Sequence, residues 1–151
     1  MKKYSVPKNF CSSVGHNSLD NYQSLRKNAK QDSNSYWESV AERIDWFEKW
    51  TTVNSTDYSK AHIEWFSNGK LNASYNCIDR HIENGLGEKT ALIWQSNDPT
   101  ISTNVTYNEL LEKVSLFANG LKRAGIKKGD RVCIYMQMIP EAIVAMLACA
   151  R

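Results

Sequence analysis

The stretch GDRVCIYMQMIPEAIVAMLACAR, residues 129–151, decides the fold class of this chain. Residues 131–136 carry apolar or aromatic side chains at most positions, which is typical of a strand covered on both faces of a parallel sheet. Pro140 suits the first turn of a helix, and residues 142–150 have no polar face, so this helix should be buried. No glycine or asparagine follows as a C-cap. We therefore expect the missing sheet neighbours in further sequence, which makes the chain an N-terminal portion of a larger protein.

The sequence just before this stretch predicts one further strand and helix. Residues 91–95 predict a buried strand, and residues 95–104 a polar loop. The next helix begins with Thr106 and Glu109 at capping-box spacing, has an apolar stripe that reaches residue 121, and is ended by Gly125. Together with the final strand and helix, this order predicts an α/β class with a parallel sheet and right-handed crossovers.

The first half of the chain predicts a helical extension. Residues 1–19 are rich in Ser, Asn and Lys and predict an irregular arm. Residues 20–30 and 35–50 predict two helices, the second beginning with Ser35 and Glu38 at capping-box spacing. Its apolar positions recur at helical intervals and are Trp37, Val40, Ala41, Ile44 and Phe47. The apolar face of such a helix is expected to pack against another part of the protein.

The remainder of this half predicts shorter elements. Residues 51–61 form a polar connector, residues 62–66 a short strand, and Asn68-Gly69 a turn. A short helix follows over residues 72–83, with Cys77, Ile78, His81 and Ile82 facing inward and Gly85 and Gly87 ending it.

Composition and charge exclude some classes of protein. The net charge of +3 is modest and does not indicate nucleic-acid or membrane binding. The final helix is the longest apolar run and is shorter than the roughly 20 residues that cross a bilayer. Residues 4–16 have no apolar core of a signal peptide, so we expect a cytoplasmic protein. The cysteines share no CxxC spacing and are interpreted as reduced thiols: Cys11, Cys77, Cys133 and Cys149.

Two patterns superficially suggest a ligand site. Residues 120–125 have the glycine spacing of a phosphate loop, but Ile126 takes the lysine position and Gly120 lies within a predicted helix. Cys77 and His81 stand four residues apart and offer two metal ligands, yet zinc needs more, from distant positions such as His62 or Cys133. We interpret both patterns as structural, and we predict no catalytic, cofactor-binding or metal-binding residue.

Charged and aromatic residues also have structural interpretations. A cationic cluster near the end of the helix at 106–121 should form a solvated face that complements the helix dipole: Lys122, Arg123, Lys127, Lys128 and Arg131. Asp79 and Arg80 should form surface or interface ion pairs. The tryptophans should anchor the extension onto the α/β part or onto further sequence: Trp37, Trp46, Trp50, Trp65 and Trp94.

A series of motifs in fixed order resembles the AMP-forming acetyl-CoA synthetases. The earlier ones are Trp65-Phe66, Gly69-Lys-Leu-Asn72, Asn76-Cys-Ile-Asp-Arg-His81, Ala91-Leu-Ile-Trp94 and Thr106-Tyr107. The resemblance is strongest at Phe117-Ala-Asn119, Gly125-Ile-Lys-Lys-Gly-Asp-Arg-Val132, Ile134-Tyr-Met136, Met138-Ile-Pro-Glu-Ala142 and Ala145-Met-Leu-Ala-Cys-Ala-Arg151. It covers residues 22–151 and is looser before Trp37. Gln137 departs from the usual Pro of the family, and Ile82 from the common Leu.

The resemblance implies an adenylate-forming ligase. Acetate and Mg-ATP would give acetyl-adenylate and pyrophosphate, and CoA would then take the acetyl group and release AMP. The family's phosphate loop, carboxylate pocket, CoA-contacting arginines and catalytic lysine would all follow residue 151, so the chain itself should be structural and inactive alone. The implied organisation is an arm at 1–19, a family-type N-terminal extension at 20–88 packed on the α/β part, and the start of the AMP-binding large domain at 89–151. Residues 136–140 would point toward the active-site side of the sheet.

Other functions remain open at this point. A propionyl-CoA or other short-chain acyl-CoA synthetase would differ in pocket residues that this sequence does not contain. A stand-alone binding module is the alternative from another class, and the uncapped apolar final helix argues against it. A nucleic-acid-binding module comes third. The expected partners are the remainder of the polypeptide and the small molecules acetate, ATP and CoA, with no nucleic acid and no membrane.

Overall fold

The computed structural model of the chain describes residues 18–151. These residues form two compact units. The first contains the described residues up to Ile44 together with Trp50–Asn68, and the second contains Asp45–Lys49 and Gly69–Arg151. Helices and short strands are mixed in this part of the chain, so the predicted α/β class is confirmed. The predicted arm, residues 1–19, and Cys11 lie outside the described residues, apart from positions 18 and 19.

Two helices open the first unit: α1 is Leu19–Gln31 and α2 is Ser33–Ala41. The Ser18 hydroxyl accepts the Asn21 N–H at 3.1 Å and caps α1. Asp32 then caps α2, because its Oδ1 accepts the Ser35 N–H at 2.9 Å. The prediction of α1 is confirmed. Ser35 is therefore a position in the first turn of α2 and not the predicted cap.

The second predicted helix was wrong beyond Ala41. It was expected to run to residue 50, but residues 45–49 belong to the second unit. There the Phe47 N–H donates to the Lys70 carbonyl at 2.7 Å, and Glu48 and Lys70 form an isolated β-bridge. These tertiary hydrogen bonds take the donors that a continuing helix would use, and so they override the helical periodicity of the sequence.

A two-stranded antiparallel sheet completes the first unit. Strand β1, Thr52–Asn54, pairs with β2, Trp65–Ser67, and a single 3-10 turn, Tyr58–Lys60, lies between them. The predicted strand at 62–66 is thus shifted by a few residues, and its partner arises within the stretch predicted as a polar connector. Asn68 has a φ of 64°, which fits the predicted Asn-Gly turn. Ring contacts at 5.1–6.2 Å join Trp37 to Trp65 and Trp50 to Phe66.

After residues 45–49, the second unit continues with an interrupted helix. Helix α3 is Ala73–Cys77, α4 is Asp79–His81, and a single π-helical turn, Ile82–Leu86, follows. Ile78 interrupts the helix with φ −128° and ψ −70°, and its side chain is fully buried. Gly85 has a φ of 78° and ends the helical path, as predicted. One predicted helix is therefore three short turns whose break places Ile78 in the core.

A β-hairpin and the longest helix of the described residues come next. Strand β3, Thr90–Gln95, pairs in antiparallel register with β4, Ser102–Thr106, and helix α5 is Tyr107–Arg123. The Thr106 side chain and the Glu109 carboxylate form the predicted capping box. The predicted polar loop at 95–104 was wrong in its second half, since β4 begins there.

The last helix, α6, is Pro140–Ala150, with the proline at its first turn as predicted. It packs against α5, and the core they share with the hairpin consists of Ile78, Val105, Leu110, Val114, Ala118, Val144 and Ala148. The hydrophobic faces of the three helical regions thus meet in one cluster.

The predicted parallel sheet is not formed within residues 18–151, where both sheets are antiparallel. The predicted buried strand at residues 131–136 was also wrong for this structure: the segment has no secondary structure and is exposed. The physical reason is that a strand needs a neighbour for its backbone hydrogen bonds, and none of the described residues supplies one.

Candidate functional site

The side chain of Asn76 holds the backbone at Asp45. Its Oδ1 accepts the Asp45 N–H at 2.7 Å, and its Nδ2 donates to the Asp45 carbonyl at 2.9 Å. Arg80 donates to the same Asn76 Oδ1 at 2.9 Å and lies 3.9 Å from the Asp45 carboxylate. The side-chain amide of Asn76 therefore holds residues 45–49 on α3, with its oxygen as an acceptor and its nitrogen as a donor.

Asp79 and Arg151 form a two-pronged ion pair. The two guanidinium nitrogens of Arg151 each donate to one carboxylate oxygen of Asp79 at 2.8 Å. The side chains are only 19% and 28% exposed, so water screens the pair less than at an open surface. Hydrogen bonding from Arg151 lowers the pKa of Asp79, and the same bond raises the pKa of Arg151. Asn72 Nδ2 also donates to the Arg151 carbonyl at 3.4 Å.

These contacts refine the prediction that Asp79 and Arg80 would form surface or interface ion pairs. Each is paired, but the two do not pair with one another, and Asp79 is not at an open surface. The partner of Asp79 lies 72 positions away along the chain, and sequence spacing gave no signal for it.

A groove of about 540 Å³ opens between the end of α5 and the end of α6. Apolar side chains line it, among them Val132, Ile134 and Met146. The cationic residues Lys122, Lys127, Lys128 and Arg151 also line it, with Asp130 as a carboxylate. Three members of the predicted cationic cluster, Lys122, Lys127 and Lys128, thus line a groove of mixed polar and apolar character.

Asp130 orders the turn beside this groove. Its Oδ2 accepts the Lys127 N–H at 2.7 Å, and Gly129 has a φ of 97°, which favours glycine. Gly125 ends α5 with a φ of 91°. Gly120 lies inside α5, so the glycine spacing at 120–125 forms a helix and its end. The predicted placement of Gly120 within a helix is confirmed.

The Cys77 and His81 pair does not form a ligand site in the described residues. The interruption at Ile78 separates the two positions, Cys77 is exposed, and the His81 ring stacks on Tyr107 with centroids 4.9 Å apart. Within residues 18–151 no group of three or more His, Cys, Asp or Glu side chains is arranged to hold a metal ion.

Two polar contacts of aromatic residues were missed by the sequence analysis. The Tyr75 hydroxyl donates to Glu83 at 2.6 Å, and this hydrogen bond raises the pKa of Tyr75. The Trp94 indole N–H donates to the Met138 carbonyl at 2.7 Å. Trp94 was expected to act as an anchor, and this bond ties strand β3 to the residues that precede α6.

The starts of α5 and α6 do not fit a phosphate group. A phosphate site uses a row of backbone N–H groups at a glycine-rich loop or a helix start. Helix α5 starts with Glu109 bound to its cap, and α6 starts with a proline that has no N–H. Also, no helix in residues 18–151 is both long and apolar enough to cross a membrane.

Comparison with known proteins places these residues in a family. A family model described as the N-terminus of acetyl-coenzyme A synthetase matches residues 22–77, and one described as AMP-binding enzyme matches residues 79–151. A protein named acetyl-coenzyme A synthetase from Magnetococcus marinus is 51% identical over 100% of this chain. Proteins of the same name from Alkalilimnicola ehrlichii and Sinorhizobium fredii are 46% and 53% identical over 99% and 80% of it.

The chain spans less than a quarter of the length of these relatives: 23% of the first two and 18% of the third. The two family models follow each other in the order expected from the motifs and leave only residue 78 between them. On these matches, the chain belongs to the acetyl-coenzyme A synthetase family.

Proposed function

We propose that this chain is the N-terminal part of an AMP-forming acetate–CoA ligase. The whole enzyme would join acetate to AMP with release of pyrophosphate, and would then transfer the acetyl group to CoA with release of AMP. The observation that carries the proposal is the match of 51% identity to a protein named acetyl-coenzyme A synthetase, which covers this entire chain. The alternatives, a propionyl-CoA synthetase, a stand-alone binding module and a nucleic-acid-binding module, have no comparable observation.

The chain's own contribution is structural. We assign it no catalytic, cofactor-binding or metal-binding residue, and ATP, CoA and Mg²⁺ would be bound by residues that follow residue 151. In support of this assignment, the side chains of Asn76 and Asp79 have hydrogen-bond partners within the chain, namely Asp45, Arg80 and Arg151. The parts of the chain would be an arm at 1–19, an extension at 20–88 and the start of the AMP-binding domain at 89–151.

The remainder of the same polypeptide would be the main partner. Support comes from the share of the relatives' length that the chain spans, 23% for two of them. We also propose that the enzyme works in the cytoplasm, on the sequence pattern of the cysteines and of residues 4–16.

The test is to express the full reading frame that contains this chain and to measure AMP formation with acetate, ATP and CoA. Activity that depends on all three substrates, with acetate preferred over propionate, is the expected result. Preference for propionate would replace acetate as the substrate. No AMP formation with either acid by a folded protein would overturn the proposal. The 151-residue chain assayed alone should release no pyrophosphate with acetate and ATP.

A further inference from the structure

The sequence contains three Asn-Gly pairs, at residues 68–69, 84–85 and 119–120. Asparagine is among the residues that are lost chemically on heating. A glycine after it favours this loss, because glycine has no Cβ to shield its backbone nitrogen and adopts many backbone conformations. All three asparagines are exposed, so neither the dipeptide nor exposure ranks them. Their backbone conformations and hydrogen bonds differ, and these can decide which pair reacts.

Asn119 and Gly120 lie inside helix α5. The helical backbone tilts each side chain toward the start of the helix, which carries the Asn119 amide away from the nitrogen of the next residue. The nearby end of the helix is also fixed, because the Ile126 N–H donates to the Leu121 carbonyl at 3.1 Å. A reaction between Asn119 and Gly120 would therefore require local unfolding of α5.

The side chain of Asn68 is held by a hydrogen bond. Its Nδ2 donates to Thr51 Oγ1 at 3.0 Å, and Asn68 itself has a φ of 64°. The preceding residue, Ser67, pairs with Thr52 in the two-stranded sheet, and its carbonyl accepts the Thr51 N–H at 2.9 Å. The Asn68 amide must therefore leave Thr51 before its carbon can turn toward the Gly69 nitrogen.

Asn84 is the least restrained of the three asparagines. Its side chain makes no hydrogen bond within residues 18–151, and both Asn84 and Gly85 are exposed. They lie in the single π-helical turn, Ile82–Leu86, and Gly85 leaves the helical path with a φ of 78°. A Cβ placed on Gly85 would meet no atom within 4 Å, so the space around this residue is open. Opening one turn at the end of a helical path costs less free energy than opening the middle of a helix.

We propose that Asn84-Gly85 is a site of spontaneous deamidation, with water as the co-reactant, and that the fold protects the other two Asn-Gly pairs. The Gly85 backbone nitrogen loses its proton and attacks Cγ of Asn84, and the new C–N bond closes a succinimide ring. The Cγ–Nδ2 bond breaks, and the side-chain nitrogen leaves as ammonia. Water then opens the ring at either carbonyl and gives aspartate or isoaspartate at position 84. The reaction involves no oxidant or reductant and does not depend on the proposed function.

The product places a second negative charge beside Glu83. The Glu83 carboxylate accepts the Tyr75 hydroxyl at 2.6 Å, and this bond joins α3 to the π-helical turn. A carboxylate is unfavourable at the C-terminal end of a helical path, where the free carbonyl groups carry partial negative charge. Isoaspartate also adds a carbon to the backbone of the turn. Deamidation should therefore loosen the end of the interrupted helix.

Peptide mapping by mass spectrometry tests the proposal on the full-length protein, aged in mildly alkaline buffer with and without urea. In the folded protein we expect Asn84 to convert at least about tenfold faster than Asn68 and Asn119, because those two need local opening first. In urea the three rates should agree within about threefold, since glycine follows each asparagine. Equal rates in the folded protein, or faster conversion of Asn68 or Asn119, would overturn the proposal. The same ranking in urea would also overturn it, because the fold would then not be the cause.

A matched pair of variants tests the effect of the product. N84D carries the aspartate form, and N97D introduces the same charge in the exposed loop between β3 and β4. In the full-length protein N84D should lower the melting temperature by a few degrees, because its charge lies beside Glu83 at the end of a helical path. N97D should leave the melting temperature unchanged. Equal melting temperatures of the two variants would contradict the expected loosening.

Discussion

Arg151 donates two hydrogen bonds of 2.8 Å to the carboxylate of Asp79, which lies 72 positions earlier in the sequence. This ion pair connects the end of α6 to the start of α4. Both side chains are partly shielded from solvent, with 19% of Asp79 and 28% of Arg151 exposed. Because a carboxylate with two guanidinium donors is geometrically specific, this contact fixes the register between two helical segments. Asn72 adds a hydrogen bond to the Arg151 carbonyl.

Removal of this ion pair should destabilise the protein. D79N and R151Q should each lower the free energy of unfolding by about 1–3 kcal/mol, as expected for hydrogen bonds between charged groups. Urea unfolding of the full-length protein measures the effect, and the double variant should lose less than the sum of the single losses. K60Q is the matched control, because Lys60 is 80% exposed in its pair with Asp57 and should contribute little. A strictly additive double variant would show that the two residues do not act as a pair.

The same pair predicts a pH dependence. The pKa of Asp79 is lowered in the folded protein, so its stabilisation is present above the pKa of the unfolded carboxyl. It is lost as the pH falls through the lowered, folded-state pKa. The difference in stability between the wild type and D79N should therefore stay constant from about pH 7 to pH 5 and shrink only below about pH 4. Urea midpoints measured across this range test the claim, and a difference that shrinks above pH 5 would disprove it.

The cap of α5 should contribute to stability. T106A removes the hydroxyl that accepts the Glu109 N–H at 3.2 Å and should cost about 1 kcal/mol. N119A, at an exposed position within the same helix, should not destabilise the protein, because alanine is the better helix former. Thermal unfolding of both variants decides the matter, and equal melting temperatures would show that the cap is dispensable.

Ile78 should be the most sensitive core position of the interrupted helix. Its side chain is fully buried, so I78A should cost about 2–5 kcal/mol through lost burial and the cavity left behind. I63A makes the same chemical change at a residue that is 67% exposed and should stay within about 0.5 kcal/mol. Chemical denaturation compares the two. Similar losses at both positions would mean that the core does not centre on Ile78.

Sequence reasoning was accurate where local signals decide the structure. The capping residues Thr106 and Glu109, the proline at position 140 and the glycine at 125 lie in their predicted roles, because each acts within one helical turn. Residues 42–50 and 102–104 were predicted wrongly, because long-range hydrogen bonds decide them. The Phe47 N–H bonds to Lys70, and β4 pairs with β3, neither of which helical periodicity or loop polarity reveals.

In the candidate site, too, sequence reasoning predicted the local features and missed the long-range contacts. The placement of Gly120 within a helix followed from helical periodicity, which is a local signal. Two contacts join positions that are far apart in sequence. One is the ion pair of Asp79 with Arg151, and the other is the hydrogen bond from the Asp45 N–H to the side chain of Asn76. No spacing rule predicts such contacts, since they depend on how the helices pack.

The most direct test of the central claim replaces the matching 23% of the Magnetococcus marinus relative with this chain. The measurement is AMP formation by the purified chimera with acetate, ATP and CoA. If the chain supplies an N-terminal structure of this enzyme family, the rate should lie within about tenfold of the parent enzyme, a difference of roughly 1.4 kcal/mol in activation free energy. A chimera that folds but forms no AMP would contradict the account.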